Sequence, residues 1–516
     1  MNGAESLVKT LLASGVTTCF ANPGTSEMHF VAALDQHPEM RCILCLFEGG
    51  ASGAADGYFR MSGQVAATLL HLAPGFGNAF ANLHNARKAG SGVLNIVGDH
   101  ATYHQRYETP LRGDTVGISQ TISHWTRVTT AATSVATDGA AAIQAARSGN
   151  GQIATLILPA DTAWGAAVSA VVSAPPPTPP RPSADLVRAT AAALALPGSA
   201  LLLDGRAVWG DLAQVAGRIA KATGCQLFTT YLAARLQRGE GAPLIRRMAY
   251  RVADNIPLLA DIQPLVLCGA DRPASFFAYP NMPSVPEPPG CNIIDLCAPG
   301  MDYAWALTAL AAEVGAQELT LTADDLQLLA LPPLPSGTMS LDKIGQAVAA
   351  LMPAQTIVVD EMVSSARHFV GPMAGARAHD WLNISGGAIG IGLPVAVGAA
   401  VACPDRKVLA LQADGSAMYT LQSLWTMARE GLDVTVVILA NRGYQILRLE
   451  MAAMGVTDVG RNARAMFDID GPQLDWVALA KGHGVDALRV TDVVQFVAAF
   501  GAAMQTKGPF LIEVMC

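Results

Sequence analysis

The chain has 516 residues, of which 51% are hydrophobic and 14% are charged. A chain of this length is too long for a single hydrophobic core of ordinary size, so we expect two to four domains. The composition is typical of α/β domains with buried parallel strands. The formal net charge of −8 and the lack of any Lys/Arg run argue against nucleic acid as the main partner.

The sequence also predicts a cytoplasmic protein without a membrane segment. Residues 1–16 have the pattern of an amphipathic helix rather than of a signal peptide, and no uncharged apolar stretch is long enough to span a bilayer. The nine cysteines are scattered, as is typical of a reducing compartment. Cys42 and Cys45 lie three apart in a strand-like run and would point to opposite faces, so we expect buried thiols rather than a redox or zinc pair.

Two proline-rich segments, at 173–183 and 329–337, divide the chain into three blocks. Proline runs form stiff spacers, so we expect domains at 1–172, 184–330 and 338–516. Each block alternates short apolar runs with helical patterns. This alternation predicts three doubly wound parallel sheets covered by helices.

Two residues of the first block are candidates for proton transfer. Glu48 begins a glycine-rich helix in "LCLFEGGASGAADGYFR", where it could be either a catalytic carboxyl or a simple cap. His71 follows an apolar run in "LLHLAPGFGNAFANLHNA" and precedes Gly75, Gly77 and Asn78. A histidine there could shuttle a proton near neutral pH, or it could pack between a strand and a helix.

In the third block, polar side chains close two successive apolar runs. Asp414 ends "KVLALQAD" and Asn441 ends "VTVVILAN", and one helix of about 416–430 is predicted between them. A right-handed crossover would bring both strand ends to the same edge of the sheet. A carboxylate, an amide oxygen and a nearby carbonyl suit Mg²⁺ or Ca²⁺, and the helix that opens at "DGSAM" would attract a phosphate. The alternative is a capping aspartate and an unrelated asparagine turn.

Residues 413–447, "ADGSAMYTLQSLWTMAREGLDVTVVILANRGYQIL", resemble the thiamine-diphosphate motif of the acetolactate synthase, pyruvate decarboxylase and benzoylformate decarboxylase family. That motif begins Gly-Asp-Gly and closes with Asn-Asn. This chain has Ala413 for the first glycine and Ala440 for the first asparagine, while Asp414 and Asn441 match. The segments 21–30, 44–60, 360–365 and 384–400 also resemble the family.

The resemblance implies specific roles in cofactor binding. Mg²⁺ would be held by Asp414, Asn441 and the backbone oxygen of Gly443. Glu48 would share a proton with N1′ of the pyrimidine, and Ile389 would be the apolar wedge that bends the cofactor. All the residues expected to contact thiamine diphosphate are Pro23, Gly24, Glu48, Ser364, Ser365, Gly387, Ile389, Asp414, Gly415, Ser416, Asn441, Gly443 and Tyr444.

The resemblance also implies which part of the cofactor each residue would contact. The carbonyl of Gly387 would accept from the 4′-amine of the pyrimidine. The hydroxyls of Ser364 and Ser365 would donate to the diphosphate, and Ser416 and the N–H groups around Tyr444 would complete that cradle. We find no glycine fingerprint for FAD in the middle block, so we do not expect FAD.

The resemblance also implies a substrate pocket. His71 stands where benzoylformate decarboxylase has a histidine, ahead of a Gly-x-Gly-Asn that ends at Asn78, and Thr25 would face the substrate. By this resemblance the candidates for catalysis are Glu48, His71, Thr25 and Asn78. His84 is expected to be structural, whereas His29 could cap or pack.

In the middle block, "DRPASFFAYPN" (271–281) stands where the decarboxylases often carry a second histidine. It offers Phe276, Phe277 and Tyr279 instead. An apolar pocket is more typical of a carboligase, although these rings could simply pack the loop.

The resemblance implies a thiamine-diphosphate- and Mg²⁺-dependent enzyme that acts beside the carbonyl of a 2-oxo acid. After CO₂ leaves, protonation would release an aldehyde, whereas attack on an aldehyde or a second 2-oxo acid would give a ligation product. The active sites would lie between subunits of a homodimer or homotetramer.

Two alternatives stay open. One is a lyase for an acyl-CoA, for which Arg246, Arg247 and Arg251, expected on a solvated helix face, are the only candidate contacts. The other is a catalytically silent subunit, which Ala413 and Ala440 keep possible.

Overall fold

A computed structural model describes residues 1–456 and 458–516 of the chain. They form two units, the first made of residues 1–176, 331–373 and 383–516 and the second of residues 177–330 and 374–382. Across the described residues, none of the helices combines the length and the apolar character needed to cross a membrane.

The first part of the first unit is a parallel sheet flanked by helices. Its strands are β1 (Thr18–Asn22), β2 (Arg41–Leu44), β3 (Ala66–Leu70), β4 (Val93–Asp99), β5 (Trp125–Val128) and β6 (Ile153–Pro159). Their spatial order is β2-β1-β3-β4-β6-β5. The helices are α1 (Gly3–Ala13), α2 (Met28–Asp35), α3 (Glu48–Ser62), α4 (Leu72–Lys88), α5 (Thr115–Ile122), α6 (Val135–Arg147) and α7 (Ala160–Trp164).

The second unit contains a second parallel sheet. Its helices are α8 (Ala184–Leu194), α9 (Asp211–Thr223), α10 (Val252–Leu259) and α11 (Tyr303–Glu313). The strands of this part of the chain are β7 (Ala200–Leu203), β8 (Gln226–Thr229), β9 (Arg235–Arg238), β10 (Arg246–Arg247), β11 (Pro264–Cys268) and β12 (Asn292–Cys297). The sheet order is β10-β8-β7-β11-β12.

The last part of the chain adds a third parallel sheet. Its strands are β13 (Ile357–Glu361), β14 (His379–Asn383), β15 (Val408–Ala413), β16 (Val434–Ala440), β17 (Asp486–Val490) and β18 (Phe510–Met515). In the first unit the order is β17-β18-β16-β15-β13, with every pair parallel. In the second unit β14 pairs antiparallel with β9. The three parallel sheets confirm the predicted α/β architecture.

The helices of this last part are α12 (Leu341–Leu351), α13 (Arg367–Ala374), α14 (Gly392–Ala402), α15 (Asp414–Ala417), α16 (Ser423–Arg429), α17 (Gln445–Ala453), α18 (Arg461–Phe467), α19 (Trp476–Gly482) and α20 (Val493–Gln505). The single helix predicted over 416–430 is wrong, because α15 and α16 are separated by a turn. Inside that turn Thr420 donates its hydroxyl to the carbonyl of Gly390, so a tertiary contact replaces helix continuity.

Two of the sequence-based expectations about side chains also need correction. Cys45 is buried, but Cys42 is exposed, so only one of this pair is a buried thiol. Arg246 and Arg247 lie in the strand β10 rather than on a helix. Strand pairing with β8 decides their conformation, and a cluster of basic residues does not reveal such pairing.

Small residues let helices α3 and α14 pack closely in the first unit. A Cβ on Gly398 would lie 1.9 Å from the carbonyl oxygen of Ala54, and one on Gly57 would lie 2.2 Å from that of Val395. Backbones can approach this closely only where side chains are absent or very small. The contact ties the helix that begins at Glu48 to the helix that follows the segment 384–391.

A buried ion pair on α3 also links the earlier and later parts of the first unit. Arg60 Nε donates to Asp56 Oδ1 at 2.8 Å, and neither side chain is exposed to solvent. Ser91 Oγ also donates to Asp56, while Arg60 Nη1 donates to the carbonyl of Asn383 at 2.6 Å. All of these partners are within the first unit, so the pair connects its earlier and later parts.

Asp56→Ala should lower the free energy of unfolding by about 3–5 kcal/mol, because it leaves the Arg60 guanidinium buried without its carboxylate. Urea denaturation of the wild type and the variant measures this loss. Asp185→Ala is the matched control, because Asp185 pairs with Arg188 on the surface and should contribute less than about 1 kcal/mol. Equal losses for the two variants would contradict the expectation.

Candidate active site

Asp414 lies at the carboxyl end of β15 and is only 2% exposed. Its Oδ1 accepts the N–H of Gly415 at 2.8 Å, and its Oδ2 accepts the N–H of Arg442 at 2.7 Å. Burial raises the pKa of the Asp414 carboxyl and the nearby Glu513 adds to this, while the backbone N–H groups act in the opposite direction. A cation beside this carboxyl would favour its charged form.

Asn441 and Gly443 supply two further oxygens beside Asp414. Asn441 Oδ1 accepts the N–H of Gly443 at 3.2 Å, and the carbonyl of Gly443 accepts the N–H of Gln445 at 3.0 Å. An amide or carbonyl oxygen has a second lone pair that can bind a metal. Carboxylate, amide and carbonyl oxygens are hard ligands, so this donor set fits the expected Mg²⁺ or Ca²⁺.

A cavity opens beside these oxygens. It is lined by Val363, Ser364, Ile389, Ala413, Asp414, Gly415, Ser416, Asn441, Gly443, Tyr444, Gln445 and Ile446. The described part of the chain contributes no residue from 1–172 to this lining. The structure therefore brings the expected metal ligands together with Ile389, but without Glu48 or His71.

The cavity wall contains part of the expected diphosphate cradle. Ser364 lines the cavity, whereas Ser365 is buried outside the lining. The N–H groups around Tyr444 were expected to complete the cradle, and the N–H of Tyr444 itself donates to the carbonyl of Phe467 at 2.8 Å. The role of this segment towards a diphosphate stays a prediction. A Cβ on Gly415 would lie 2.7 Å from Tyr444 Cε1, so the glycine is needed for space.

The structure gives Ser416 hydrogen bonds, and Gly387 a backbone conformation, that the sequence did not predict. The Ser416 hydroxyl donates to the carbonyl of Ala413 at 3.0 Å and reaches that of Glu361 at 3.2 Å. Gly387 has φ of +78°, a conformation that suits glycine, and does not belong to the cavity lining. Its role towards a pyrimidine stays a prediction.

Glu48 is the first residue of α3 and is 7% exposed. Its Oε2 accepts a hydrogen bond from Asn78 Nδ2 at 3.0 Å, so two of the predicted catalytic residues are in contact. A Cβ on Gly75 would lie 3.0 Å from Glu48 Oε1. The glycine of α4 thus leaves space for the carboxyl, and the amide of Asn78 orients it.

His71 precedes α4 and contacts a carboxylate that the sequence analysis did not single out. Its Nδ1 lies 2.8 Å from Glu27 Oε2, which also accepts the N–H of Gly24 at 2.8 Å. A Cβ on Gly24 would lie 2.1 Å from His71 Nδ1, so only glycine allows this approach. A carboxylate on one ring nitrogen selects the tautomer and orients the other nitrogen. The Glu that follows Gly24 by three residues has the spacing of a capping box and was a usable signal.

The remaining candidates of the first block have simpler environments. Thr25 is exposed and Pro23 is partly exposed at the end of β1. His29 packs its ring against Trp164, with the ring centroids 5.5 Å apart. His84 Nε2 lies 3.1 Å from the carbonyl of Gly386, consistent with the structural role expected of it.

In the second unit, the aromatic candidates form a cluster. Phe276 and Phe277 are 42% and 54% exposed, and Phe276 also packs against Tyr250. Arg246 stacks over the ring of Phe228, while Arg247 stacks over Tyr231 and donates to its carbonyl. The role of the two phenylalanines towards a substrate stays a prediction.

Glu361 is a second carboxyl that the sequence analysis missed. It ends β13, is completely buried, and accepts the N–H groups of Gly390, Ile391 and Gly392 at 2.6, 3.2 and 2.8 Å. Burial raises the pKa of Glu361 to about 7, and Asp360 adds to this, although the three N–H groups act in the opposite direction. Adjacent acidic residues at a strand end do not reveal which of them a distant loop will contact.

This pKa predicts a pH-dependent contribution to stability. The ordinary value is 4.5, so the folded protein binds more protons at Glu361 than the unfolded chain between that value and about 7. This group therefore lowers stability as the pH rises through that window. We expect the free energy of unfolding of the wild type minus that of Glu361→Gln to decrease between about pH 5 and pH 8.

Urea denaturation of both proteins at several pH values measures this difference. Glu361→Gln is the reference for the wild type, because it lacks the titrating carboxyl but keeps the size of the side chain. A difference that stays constant would show that the pKa of Glu361 is the same in the folded and unfolded protein, and one that increases with pH would show that folding lowers it; either result contradicts the expectation.

Comparison with known proteins connects this geometry to a family. Residues 1–124 match the model "Thiamine pyrophosphate enzyme, N-terminal TPP binding domain", and residues 364–514 match "Thiamine pyrophosphate enzyme, C-terminal TPP binding domain". A Mycobacterium tuberculosis protein named "Putative acetolactate synthase large subunit IlvX" is 47% identical over 100% of this chain and 99% of its own length. Benzoylformate decarboxylase of Pseudomonas aeruginosa is 27% identical over 97% of this chain and 96% of its own length.

A solved structure shows the same fold. The thiamine diphosphate-dependent 4-hydroxybenzoylformate decarboxylase of Rhodococcus jostii RHA1 superposes with a TM-score of 0.85 at 24% identity, covering 100% of this chain and 99% of that one. The two matched domains carry the cavity with Asp414 and the Glu48–Asn78 pair, and the relative at 47% identity extends the similarity to the whole length. The chain therefore belongs to the thiamine-diphosphate enzyme family, among relatives of the acetolactate synthase and benzoylformate decarboxylase type.

Proposed function

We propose that this protein uses thiamine diphosphate and Mg²⁺ to cleave or form a carbon–carbon bond beside the carbonyl of a 2-oxo acid. The observation that carries this proposal is the cavity lined by Asp414, Asn441 and Gly443, which follow the ends of two adjacent strands and have oxygen atoms of the kind that Mg²⁺ prefers. When bound, thiamine diphosphate supplies the electron sink that lets CO₂ leave a 2-oxo acid.

The chain's own residues would hold the cofactor and move protons. The three oxygens would bind the metal, and Ser364 would donate to the diphosphate. Glu48, oriented by Asn78, would hold the proton shared with N1′ of the pyrimidine. His71, oriented by Glu27, would carry a proton to or from the reacting carbon.

The His71–Glu27 pair supports release of an aldehyde as one outcome of the reaction. A histidine oriented in this way can deliver the proton that ends a simple decarboxylation. The relative named benzoylformate decarboxylase is consistent with this outcome, whereas the relative named for acetolactate synthase is consistent with ligation to a second carbonyl. The exposed Phe276 and Phe277 would favour ligation if they line the substrate pocket.

Neither alternative function has a specific observation in its favour. Arg246 and Arg247, two of the three candidates for contact with an acyl-CoA beside Arg251, stack on aromatic rings of the second unit. Ala413, which together with Ala440 raised the possibility of a silent subunit, has φ of −84° and ψ of 148°, a conformation that alanine adopts without strain. Its replacement of glycine is therefore compatible with an intact metal site.

We further propose that a second copy of the chain completes the active site. The cavity beside Asp414 has no lining residue from 1–172 among those described, so Glu48 would reach it from another subunit. Helix α17, which borders the cavity, has no buried residue, and Leu447 is 40% exposed on it. Tyr103 and Tyr107 are 63% and 50% exposed beyond the carboxyl end of β4. Apolar exposure of this kind is typical of surfaces that a partner covers.

The proposed activity is tested by incubating the protein with thiamine diphosphate and Mg²⁺ and with pyruvate, longer 2-oxo acids or benzoylformate, with and without an aldehyde. We expect CO₂ release that decreases at least about 100-fold in Glu48→Gln, since the shared proton is lost. His71→Ala should reduce aldehyde release more than ligation. If the protein binds the cofactor but releases CO₂ from none of these acids, the 2-oxo acid proposal is wrong.

Co-expression of two inactive variants tests the shared site. If each site combines residues of two chains, a heterodimer of Glu48→Gln and Asp414→Ala has one intact site, and random pairing should restore about a quarter of wild-type activity. Glu48→Gln with His71→Ala is the matched control, because both changes affect the same part of the chain and no pairing restores a site. Absence of restored activity in the first mixture, with dimers present, would place each site within one chain.

A further inference from the structure

Buried polar side chains hold both the N–H and the carbonyl of Gly390, which belong to two successive peptide groups. Its N–H donates to Glu361 Oε1 at 2.6 Å, and its carbonyl accepts from Thr420 Oγ1 at 2.9 Å and from Asn82 Nδ2 at 3.2 Å. Gly390 has φ of +95°, and a Cβ there would lie 2.5 Å from Cβ of Tyr419. Buried partners therefore hold the backbone on both sides of Gly390.

Ile389, the residue before Gly390, lines the cavity, and the chain on its other side is held equally firmly. Asn85 Nδ2 donates to the carbonyl of Ala388 at 2.8 Å, and Asn85 Oδ1 accepts the N–H of Ala388 at 3.2 Å. His84 Nε2 lies 3.1 Å from the carbonyl of Gly386. Helix α4 thus fixes the backbone before Ile389, and Glu361 fixes the backbone after it.

Glu361 is unusual because it is buried without a cation. Its carboxylate also accepts the N–H groups of Ile391 and Gly392, at the start of α14. Within the residues described, no Lys, Arg or His side chain forms an ion pair with it. A buried carboxylate without a cation is costly compared with an apolar side chain, even when N–H groups and a helix N-terminus offset part of the cost. The three hydrogen bonds to Glu361 fix the position of the segment 390–392.

We propose that Glu361, together with Asn82 and Asn85, is a positioning residue that fixes Ile389 against bound thiamine diphosphate and so maintains the bent shape of the cofactor. The inference rests on the proposed function. Small displacements matter because a reactive geometry tolerates errors of only about half an ångström. The shift of Ile389 permitted by a loosened Gly390 peptide would therefore weaken binding of the bent cofactor and reduce its reactivity.

Glu361→Gln tests this proposal in the full-length protein with Mg²⁺. The amide has only one accepting oxygen, and its NH₂ group would face a backbone N–H, so at least one of the three hydrogen bonds is lost. We expect the Kd for thiamine diphosphate, measured by calorimetry, to rise at least about tenfold, since hydrogen bonds to charged groups are among the stronger ones. At saturating cofactor, the near-UV circular dichroism of the bound cofactor should change, and kcat should decrease while KM for the 2-oxo acid stays constant.

Glu287→Gln is the matched control, because Glu287 is also a buried glutamate but lies in the second unit and pairs with Arg272. It should leave cofactor affinity and circular dichroism unchanged. If Glu361→Gln does not fold, Thr420→Val removes one donor to the Gly390 carbonyl with little change in shape, and should raise the Kd in the same direction. Wild-type affinity and dichroism in the folded variants would overturn the positioning role alone. Failure of the wild type to bind thiamine diphosphate would overturn the proposed function as well.

Discussion

The register of the parallel strands is the constraint on which the candidate site depends. Glu361 pairs with Gln412, and Gln412 pairs with Ile438, so β13, β15 and β16 end at the same edge of the sheet. Because parallel strands need crossover connections, each end leads into a turn or helix whose N–H groups face that edge. Asp414 and Asn441 come directly after two of these ends. A slip of one residue would turn Asp414 to the opposite face and separate it from Asn441, the other side chain proposed to bind the metal.

Helices α3 and α4 position two groups of candidate residues in the first unit. At one end, α3 begins with Glu48 and α4 provides Asn78, so the candidate proton-transfer carboxyl is oriented between two helices. Further along α4, Asn82 and Asn85 hold the segment that carries Ile389 into the cavity. The close α3–α14 contact, made possible by glycine and alanine, keeps these parts in fixed relation. The same two helices thus position residues with different expected roles towards thiamine diphosphate.

Sequence patterns were most informative for residues whose position depends on their immediate neighbours in the chain. A polar residue directly after an apolar run, as at Asp414 and Asn441, indicated the strand ends, and the structure places both side chains on one cavity. Patterns were least informative for side chains whose partners are distant. Glu27 contacts His71 across 44 residues, and Asn82 reaches Gly390 across 308 residues. No periodicity encodes such contacts, because they depend on how helices pack rather than on their own sequences.

By itself, the sequence determined the α/β class, the membership of the thiamine-diphosphate family and the residue types available at the strand ends. These properties follow from hydrophobic periodicity and short motifs, which act within a few neighbouring residues. Only the tertiary structure decided which polar groups meet: it gave the N–H of Tyr444 to Phe467 and the carboxyl of Glu361 to the segment after Ile389. The physical reason is that a buried hydrogen bond must satisfy its partners wherever packing has placed them, and that placement is a property of the whole fold.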